Sequence, residues 1–270
     1  MLIRPFLASV LVCVLAGIAP ALRGAPPAKS APAPPLLPGE ALAMAGPDGT
    51  VYTFGDTAKE EPLGCLAKLV WIKLEGMQWA GMGVMFECKG EWQGCKCWLP
   101  KGHGKVDLAK ALRDNCDLAF LAWGQMSAQI WLHDYGDGAA RVRLEDTFGP
   151  FLGNRMPPGE GLPEITPAWV GYGDLLRTST AGMLTWLMDP AQDQALRTYR
   201  RLLLSFKQST YNPDAWWIKT GTAPVLADPG SASGWAVGGN GQVLAVLHLP
   251  RVKGKDEPLE RFRAILNLPR

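Results

Sequence analysis

A glycine-led turn that runs into an apolar helix constrains this chain more than any other feature of its sequence. Residues 62–68 read Pro-Leu-Gly-Cys-Leu-Ala-Lys, and the apolar run that follows predicts a helix over residues 66–75 that ends at Gly76. Cys65 and Lys68 are three residues apart, and a helix places side chains at that spacing on one face. A thiol and an amine are therefore expected side by side near the start of a helix.

This pair has the chemistry of an activated nucleophile. A neutral Lys68 can take the thiol proton of Cys65, whereas a protonated Lys68 stabilises the thiolate. The positive potential at the start of the helix acts in the same direction. The ordinary alternative is a small buried cysteine next to a surface charge, and the spacing alone does not exclude it.

A second motif lies about 150 residues later in the run Trp-Trp-Ile-Lys-Thr-Gly-Thr, which is typical of a strand. Lys219 and Thr220 can offer a cation and a hydroxyl to a substrate carboxylate. Gly221 allows a ligand backbone to lie close, and the backbone N–H of Thr222 can donate to an oxyanion. Together with Cys65, this motif predicts a ligand groove lined by a nucleophile on one side and a strand edge on the other.

The Gly- and Cys-rich stretch over residues 78–104 has little periodicity, so we expect it to be irregular and held by something other than a hydrophobic core. Four side chains would make a tetrahedral Cys3His set that suits structural zinc: Cys88, Cys97, His103 and Cys116. A disulfide between Cys88 and Cys97 is the alternative for an exported chain. Spacing alone leaves both open.

The first 25 residues have the pattern of a signal peptide, with Arg4 ahead of an apolar core and small residues before the expected cleavage. An uncleaved anchor is the alternative. Residues 26–40 are rich in Pro and Ala and predict an extended linker, which leaves residues 41–270 as one domain. The formal net charge is only +2 and the charges are mixed, so nucleic acid is not an expected partner.

The order of elements predicts an α+β fold. Gly-Pro-Asp-Gly at residues 46–49 separates two strand-like runs, which predicts a hairpin. Helices are expected over residues 66–75, 106–113, 118–131, 175–187, 192–206 and 258–268, and later strands over residues 215–220, 234–237 and 242–248. A hairpin, a helical middle and late strands fit an antiparallel sheet packed against helices, with a helical lobe.

The motifs, in this order, resemble those of the transpeptidase domain of class B penicillin-binding proteins, especially the elongation type. That family has Pro-x-Gly-Ser-x-x-Lys, a Cys-Trp and Gly-His-Gly stretch, Ser-x-Asn or Ser-x-Asp, Leu-Pro-Gly-Glu, Gly-x-Gly and Lys-Thr-Gly-Thr motifs. In the same order, the corresponding positions are residues 62–68, 97–98, 102–108, 115–117, 158–160, 171–173 and 219–223. The Gly-Trp-Ala-Val-Gly run at residues 234–238 is a further match.

The resemblance implies a five-stranded antiparallel sheet with helices on both faces, in the periplasm. It implies an acyl-enzyme mechanism on the D-Ala-D-Ala stem peptides of peptidoglycan, β-lactams as ligands, and cell-wall synthesis proteins as partners. It gives Cys65 the role of nucleophile and Lys68 that of base, with Asp117 and Lys219 assisting. The metal site of elongation-type members maps onto the same three cysteines and His103, which favours zinc over the disulfide.

Two departures from the family leave catalysis open. Cys65 stands where the family has Ser, and Asn115 stands where the family has the Ser that passes a proton to the leaving amine. An amide does not accept and release a proton as a hydroxyl does. The hypotheses are therefore an acyl-transfer enzyme, a catalytically impaired binding or regulatory module on the same fold, and a class D-like β-lactamase.

Overall fold

The computed structural model describes residues 34–73, 83–152, 166–167, 170–204, 215–225, 228 and 230–268. The expected leader and most of the expected linker precede residue 34, so those predictions lie outside the described residues. Within the described ranges, no helix combines the length and the hydropathy that crossing a bilayer requires.

An antiparallel sheet of five strands forms the centre of the structure, and the predicted α+β fold is confirmed. In sequence, its strands are β1 (Ala41–Ala45), β2 (Val51–Phe54), β9 (Trp217–Pro224), β10 (Ala232–Gly239) and β11 (Leu244–Val252). Their spatial order is β2-β1-β11-β10-β9. β1 and β2 make the predicted hairpin. In the described ladders β9 pairs only with β10, so it forms one edge of the sheet.

The described ranges contain six α-helices. They are α1 (Ala67–Trp71), α2 (Leu108–Arg113), α3 (Asp117–Leu152), α4 (Thr180–Met188), α5 (Asp193–Leu204) and α6 (Glu257–Ile265). α3 is much longer than the predicted segment over residues 118–131 and is interrupted at Gly136, where φ is 75°. The part of the first predicted helix after residue 73 lies outside the described residues.

The central strands of the sheet are buried on both faces. Successive side chains of a strand point to opposite sides, so each face packs in a different core. Along β11, Val246 packs in the large core that also contains α1 and α4. Its neighbours Ala245 and Leu247 pack in a second core against Phe262 of α6. This arrangement explains why β11 is mostly apolar without a regular polar alternation.

The prediction of one helix over residues 175–187 was wrong at its start. Residues Arg177–Thr178 form a short strand, β8, which pairs with β3 (Glu61–Pro62). Ser179 then caps α4, since its side chain accepts a hydrogen bond from the N–H of Gly182. An N-cap residue is extended rather than helical, so the helix begins after it.

The Cys-rich stretch is more regular than predicted over residues 83–104, and residues 78–82 lie outside the described residues. It contains two small ladders, β4 (Phe86–Cys88) with β7 (Gly104–Val106) and β5 (Glu91–Trp92) with β6 (Cys95–Lys96). Two-stranded ladders of two or three residues are not stable alone in water. Cys88, Cys97 and Val106 belong to the main hydrophobic core, and Phe86 and Trp92 pack against it, so the core does help to hold this stretch, contrary to expectation.

Candidate active site

The turn that carries Cys65 lies directly against strand β9. Gly64 has φ +52°, and a Cβ atom added to it would lie 2.2 Å from the carbonyl oxygen of Thr222. A Cβ added to Gly221 would lie 3.0 Å from the amide nitrogen of Leu66 and 3.4 Å from the Cβ of Cys65. The glycines therefore allow the 3-10 turn over Gly64–Leu66 and the strand to touch, and the nucleophile turn faces the Lys-Thr-Gly motif as expected.

Lys68 of α1 is fully buried beneath this turn. Its ammonium donates to Oδ1 of Asp117 over 2.5 Å, and the thiol of Cys65 lies 3.8 Å from the same oxygen. Burial by itself lowers the pKa of Lys68, but the Asp117 carboxylate and the Cys65 sulfur raise it, and the net result is a raised pKa. Lys68 is thus held as an ammonium between the Asp117 carboxyl group and the Cys65 sulfur.

Asp117 is the first residue of α3. The side chain of Asp117 is 19% exposed, whereas that of Lys68 is inaccessible. The carboxylate therefore lies between the buried amine and the more open thiol. It links the two residues of the Cys-x-x-Lys motif to the segment that follows α2.

Asn115 connects α2 to α3 in the left-handed region, with φ 52°, a conformation that Asn tolerates better than most residues. The indole N–H of Trp98 donates to the carbonyl oxygens of Asp114 and Asn115 over 3.2 and 3.0 Å. The side-chain oxygen of Asn115 accepts a hydrogen bond from Lys219. Asn115 therefore links the segment between α2 and α3 to strand β9 at the candidate site.

Lys219 is the second buried amine of the site and has the opposite electrostatic behaviour. It is only 2% exposed, and it donates to the side chain of Asn115 and to the carbonyl oxygen of Thr220. Burial, together with the charge of Lys68, lowers the pKa of Lys219 to about 7, against the opposing effect of Cys65 and Asp117. Since no carboxylate among the described residues forms an ion pair with Lys219, it is poised to gain one from an acidic ligand.

The remaining predicted substrate residues lie on the same strand. Thr220 and Thr222 are half-buried and alternate along β9 with the buried Lys219 and Gly221. The outer edge of β9 runs beside the turn of Cys65 and does not pair with another described strand. All eight predicted catalytic and substrate residues thus meet at one edge of the sheet: Cys65, Lys68, Asn115, Asp117, Lys219, Thr220, Gly221 and Thr222.

The four predicted metal ligands also come together. Their ligand atoms all lie within 4.8 Å of one another, and Nδ1 of His103 is 3.7 Å from the sulfur of Cys88 and 3.4 Å from that of Cys97. A tetrahedral site with metal–sulfur bonds of about 2.3 Å has edges of about 3.8 Å, so this spacing fits a metal ion. The fourth ligand, Cys116, is fully buried.

The chemistry of the cluster also fits a cation. Cys88 and Cys97 are free thiols, so the alternative disulfide is not formed. Burial raises the pKa of Cys97 and of Cys116, which means that three thiolates at this place need a compensating positive charge. We conclude that these four residues could hold a metal ion. Because Cys116 lies between Asn115 and Asp117, such an ion would also fix the segment that carries both.

Two aromatic residues that brace the nucleophile turn were missed by the sequence analysis. The indole N–H of Trp235 donates to the carbonyl oxygen of Pro62 over 2.9 Å, and the hydroxyl of Tyr199 donates to that of Leu69 over 2.6 Å. Both aromatic side chains are fully buried. The high Trp content was the available signal, but it does not show which aromatic residue reaches which carbonyl.

Comparison with protein-family models gives no match, and comparison with curated proteins gives none either. Solved structures do match. The penicillin-binding protein PBP2 of Helicobacter pylori aligns with a TM-score of 0.59 at 12% identity, over 84% of this chain and 59% of that chain. The class D β-lactamase YbXI of Nostoc aligns with a TM-score of 0.55 at 13% identity, over 85% and 94%.

The class D β-lactamase OXA-427 is similar at higher identity. It aligns with a TM-score of 0.55 at 21% identity, over 84% of this chain and 97% of that chain. Identities in this range establish the architecture and leave activity open. The chain has the β-lactamase/transpeptidase fold, with its candidate site at the edge of the sheet beside the Cys65 turn.

Proposed function

We propose that the protein is a penicillin-binding, transpeptidase-like protein of the periplasm, acting on the D-Ala-D-Ala stem peptides of peptidoglycan through an acyl-enzyme at Cys65. The observation that carries the proposal is the meeting of Cys65, Lys68 and Asp117 with the Lys219 strand edge in this fold. A nucleophile, an ion pair and a carboxylate-binding edge are the parts that acyl transfer needs. β-Lactams are expected to acylate the same sulfur.

The proposed reaction begins with a thiolate at Cys65, which the Lys68 ammonium stabilises. The sulfur attacks the peptide carbonyl carbon, and the resulting oxyanion accepts a hydrogen bond from the backbone N–H of Thr222. Lys219 and Thr220 bind the terminal carboxylate of the substrate. The carbon–nitrogen bond then breaks, the leaving nitrogen takes a proton from the Lys68 ammonium, and a thioester remains on Cys65. An amine of a second stem peptide or a water molecule attacks the thioester and releases the Cys65 sulfur, and Lys68 regains the proton that this nucleophile loses.

A binding module on the same fold is the second candidate, and Asn115 is the observation that favours it. Its side chain is an amide bound to Lys219, at the position where the family has a proton-relaying hydroxyl. An amide does not relay protons, and loss of such a group costs about 10²- to 10⁴-fold in rate. In this version the protein recognises stem peptides or β-lactams and acts on cell-wall synthesis through partner proteins. Class D-like hydrolysis is less well supported, because nothing in the sequence marks a base for deacylation.

We further propose that the metal of the Cys3His cluster is structural Zn²⁺. The ion would be held by Cys88, Cys97, His103 and Cys116 and would neutralise their thiolates. The three cysteines and one histidine are ligands that zinc prefers. Export to the periplasm is supported by the signal-peptide pattern of residues 1–25.

Labelling with a fluorescent penicillin tests the proposed function. The wild-type protein and the Cys95→Ser control, which keeps the candidate nucleophile, are expected to form a covalent adduct of the mass of the penicillin. Cys65→Ala is expected to form none. An adduct that persists in Cys65→Ala would contradict the proposed nucleophile, and the absence of any adduct with reversible binding retained would support the binding module.

A further inference from the structure

Two exposed side chains from distant parts of the chain meet beside the candidate site. The ammonium of Lys255 lies 4.2 Å from the centroid of the Trp98 ring, which is a cation–π contact. Trp98 belongs to the Cys-rich stretch before α2, whereas Lys255 belongs to the turn between β11 and α6. We call this contact the strap.

The Trp98 end of the strap is fixed beside Asn115. The indole N–H of Trp98 donates to the carbonyl oxygens of Asp114 and Asn115 over 3.2 and 3.0 Å. The Trp98 ring also meets the ring of His103 edge-on, with the two centroids 5.2 Å apart. The side chain of Asn115 accepts a hydrogen bond from Lys219. The strap therefore begins at the residue that contacts the start of the Lys-Thr-Gly motif.

The Lys255 end of the strap lies at the far end of that motif. Thr222 of β9 pairs with Gly234 of β10 in the sheet. A Cβ atom added to Gly234 would meet the side chains of Val252 and Pro258, which lie on either side of the turn that carries Lys255. The turn is thus anchored close to Thr222.

These contacts close a ring around the outer edge of β9. The ring runs from Trp98 through Asn115 to Lys219, along β9 to Thr222, and through the turn of Lys255 back to Trp98. A ligand whose carboxylate sits at Lys219 and whose chain follows β9 would lie inside this ring. The strap is the weakest link of the ring. Trp98 is 44% exposed, Lys255 is exposed and forms no ion pair with any described carboxylate, and cation–π contacts between exposed groups are weak.

We propose that the strap determines which ligands reach Cys65. While the Lys255 ammonium rests on the Trp98 ring, a slender ligand enters the groove freely, and a bulky one must first lift the ammonium away. This rests on the proposed function for the position of the ligand along β9. Opening one exposed cation–π contact slows entry by a factor of about 2 to 5. The pair acts on entry and not on the chemistry at the sulfur.

Two neutral alkylating reagents of different size test the strap on the thiol itself. Iodoacetamide is small, and N-pyrenyl iodoacetamide carries the same reacting group on a large uncharged ring system. We expect Lys255→Ala to raise the rate of pyrenyl alkylation of Cys65 by about 2- to 5-fold and to leave the rate with iodoacetamide unchanged. Lys255→Arg keeps a cation over the ring and should keep both wild-type rates. Peptide mass spectrometry follows Cys65 separately from the other free thiols.

Lys253→Ala is the matched control, because it removes the same charge at an exposed position of the same turn. It should keep both wild-type rates. An unchanged pyrenyl rate in Lys255→Ala, an equal rise for both reagents, or the same rise in Lys253→Ala would each overturn the inference. Alkylation needs no acyl transfer. A wild-type protein that forms no penicillin adduct, while Lys255→Ala accelerates only the pyrenyl reagent, would therefore overturn the proposed catalysis and support the strap.

Discussion

Two buried lysines at the candidate site are pushed to opposite protonation states by a single difference in their surroundings. Lys68 contacts the Asp117 carboxylate, and its pKa is raised despite burial. Within the described ranges Lys219 donates to two neutral oxygen atoms, and burial lowers its pKa to about 7. Neither shift is visible in the sequence, because both depend on which residue from a distant segment is placed beside the amine.

The lowered pKa of Lys219 predicts that stability rises with pH above neutrality. Between pH 7 and 10.5 the unfolded chain binds a proton at Lys219 that the folded protein does not, so the free energy of unfolding increases with pH in this window. Below pH 7 Lys219 is protonated in both states, so the cost of burying its charge reaches its full value. Lys68 has a raised pKa, so its contribution is lost only above pH 10.5, outside this window.

We expect the free energy of unfolding of the wild type to rise by about 3 kcal/mol more between pH 6.5 and 9.5 than that of Lys219→Met. Denaturant unfolding at the two pH values measures this difference. Equal pH dependence in the two proteins would contradict the burial of an unpaired amine at this position.

At the scale of secondary-structure elements, the contact between the Cys65 turn and β9 depends on glycine. Gly64→Ala would place a Cβ 2.2 Å from the carbonyl oxygen of Thr222 in a backbone of positive φ. Gly49 also has positive φ, but a Cβ there would meet nothing within 4 Å. Both substitutions place alanine in a backbone of positive φ, and only Gly64→Ala adds a steric clash with another atom.

We therefore expect Gly64→Ala to lower the free energy of unfolding by about 3 kcal/mol or more, and Gly49→Ala by about 1 kcal/mol. Chemical denaturation of both variants gives these values. Gly64→Ala should also slow the alkylation of Cys65, because the turn moves relative to β9. Similar losses in the two variants would show that the turn and the strand are not in tight contact.

The elements that local sequence determines were predicted correctly. The hairpin of β1 and β2 follows from its turn residues, and α2 lies within the predicted helix, with Asp107 as its N-cap accepting a hydrogen bond from the N–H of Lys110. β8 was missed because its two residues become a strand only by pairing with β3, more than a hundred residues earlier. The braces from Trp235 and Tyr199 to the nucleophile turn are equally non-local, and no periodicity in the sequence indicates them.

At the scale of the whole molecule, the proposed zinc would connect the small ladders of the Cys-rich stretch to the helical lobe. The ligands come from β4, from the segment around His103 and from the start of α3. The ladders pack against the main hydrophobic core on one side, and the ion would add a second point of attachment, so part of their stability should depend on it. The same ion would hold the backbone between Asn115 and Asp117.

We expect purified protein to contain about one equivalent of zinc, and removal by a chelator to lower the melting temperature by about 10 °C. Elemental analysis and thermal unfolding measure the two quantities. Cys116→Ser should lose the metal, whereas Cys95→Ser, a substitution outside the cluster, should keep it. Less than about half an equivalent of zinc in protein prepared without chelators would contradict the assignment.

Penicillin-binding proteins and class D β-lactamases both resemble this chain in fold at low sequence identity, so the fold does not determine the chemistry at residue 65. The most direct test is to locate the acyl group after incubation with benzylpenicillin, by protease digestion and tandem mass spectrometry. We predict a penicilloyl thioester on Cys65 that neutral hydroxylamine removes. Acyl groups only on lysine or serine side chains, with Cys65 unmodified and still alkylated by iodoacetamide, would contradict the account.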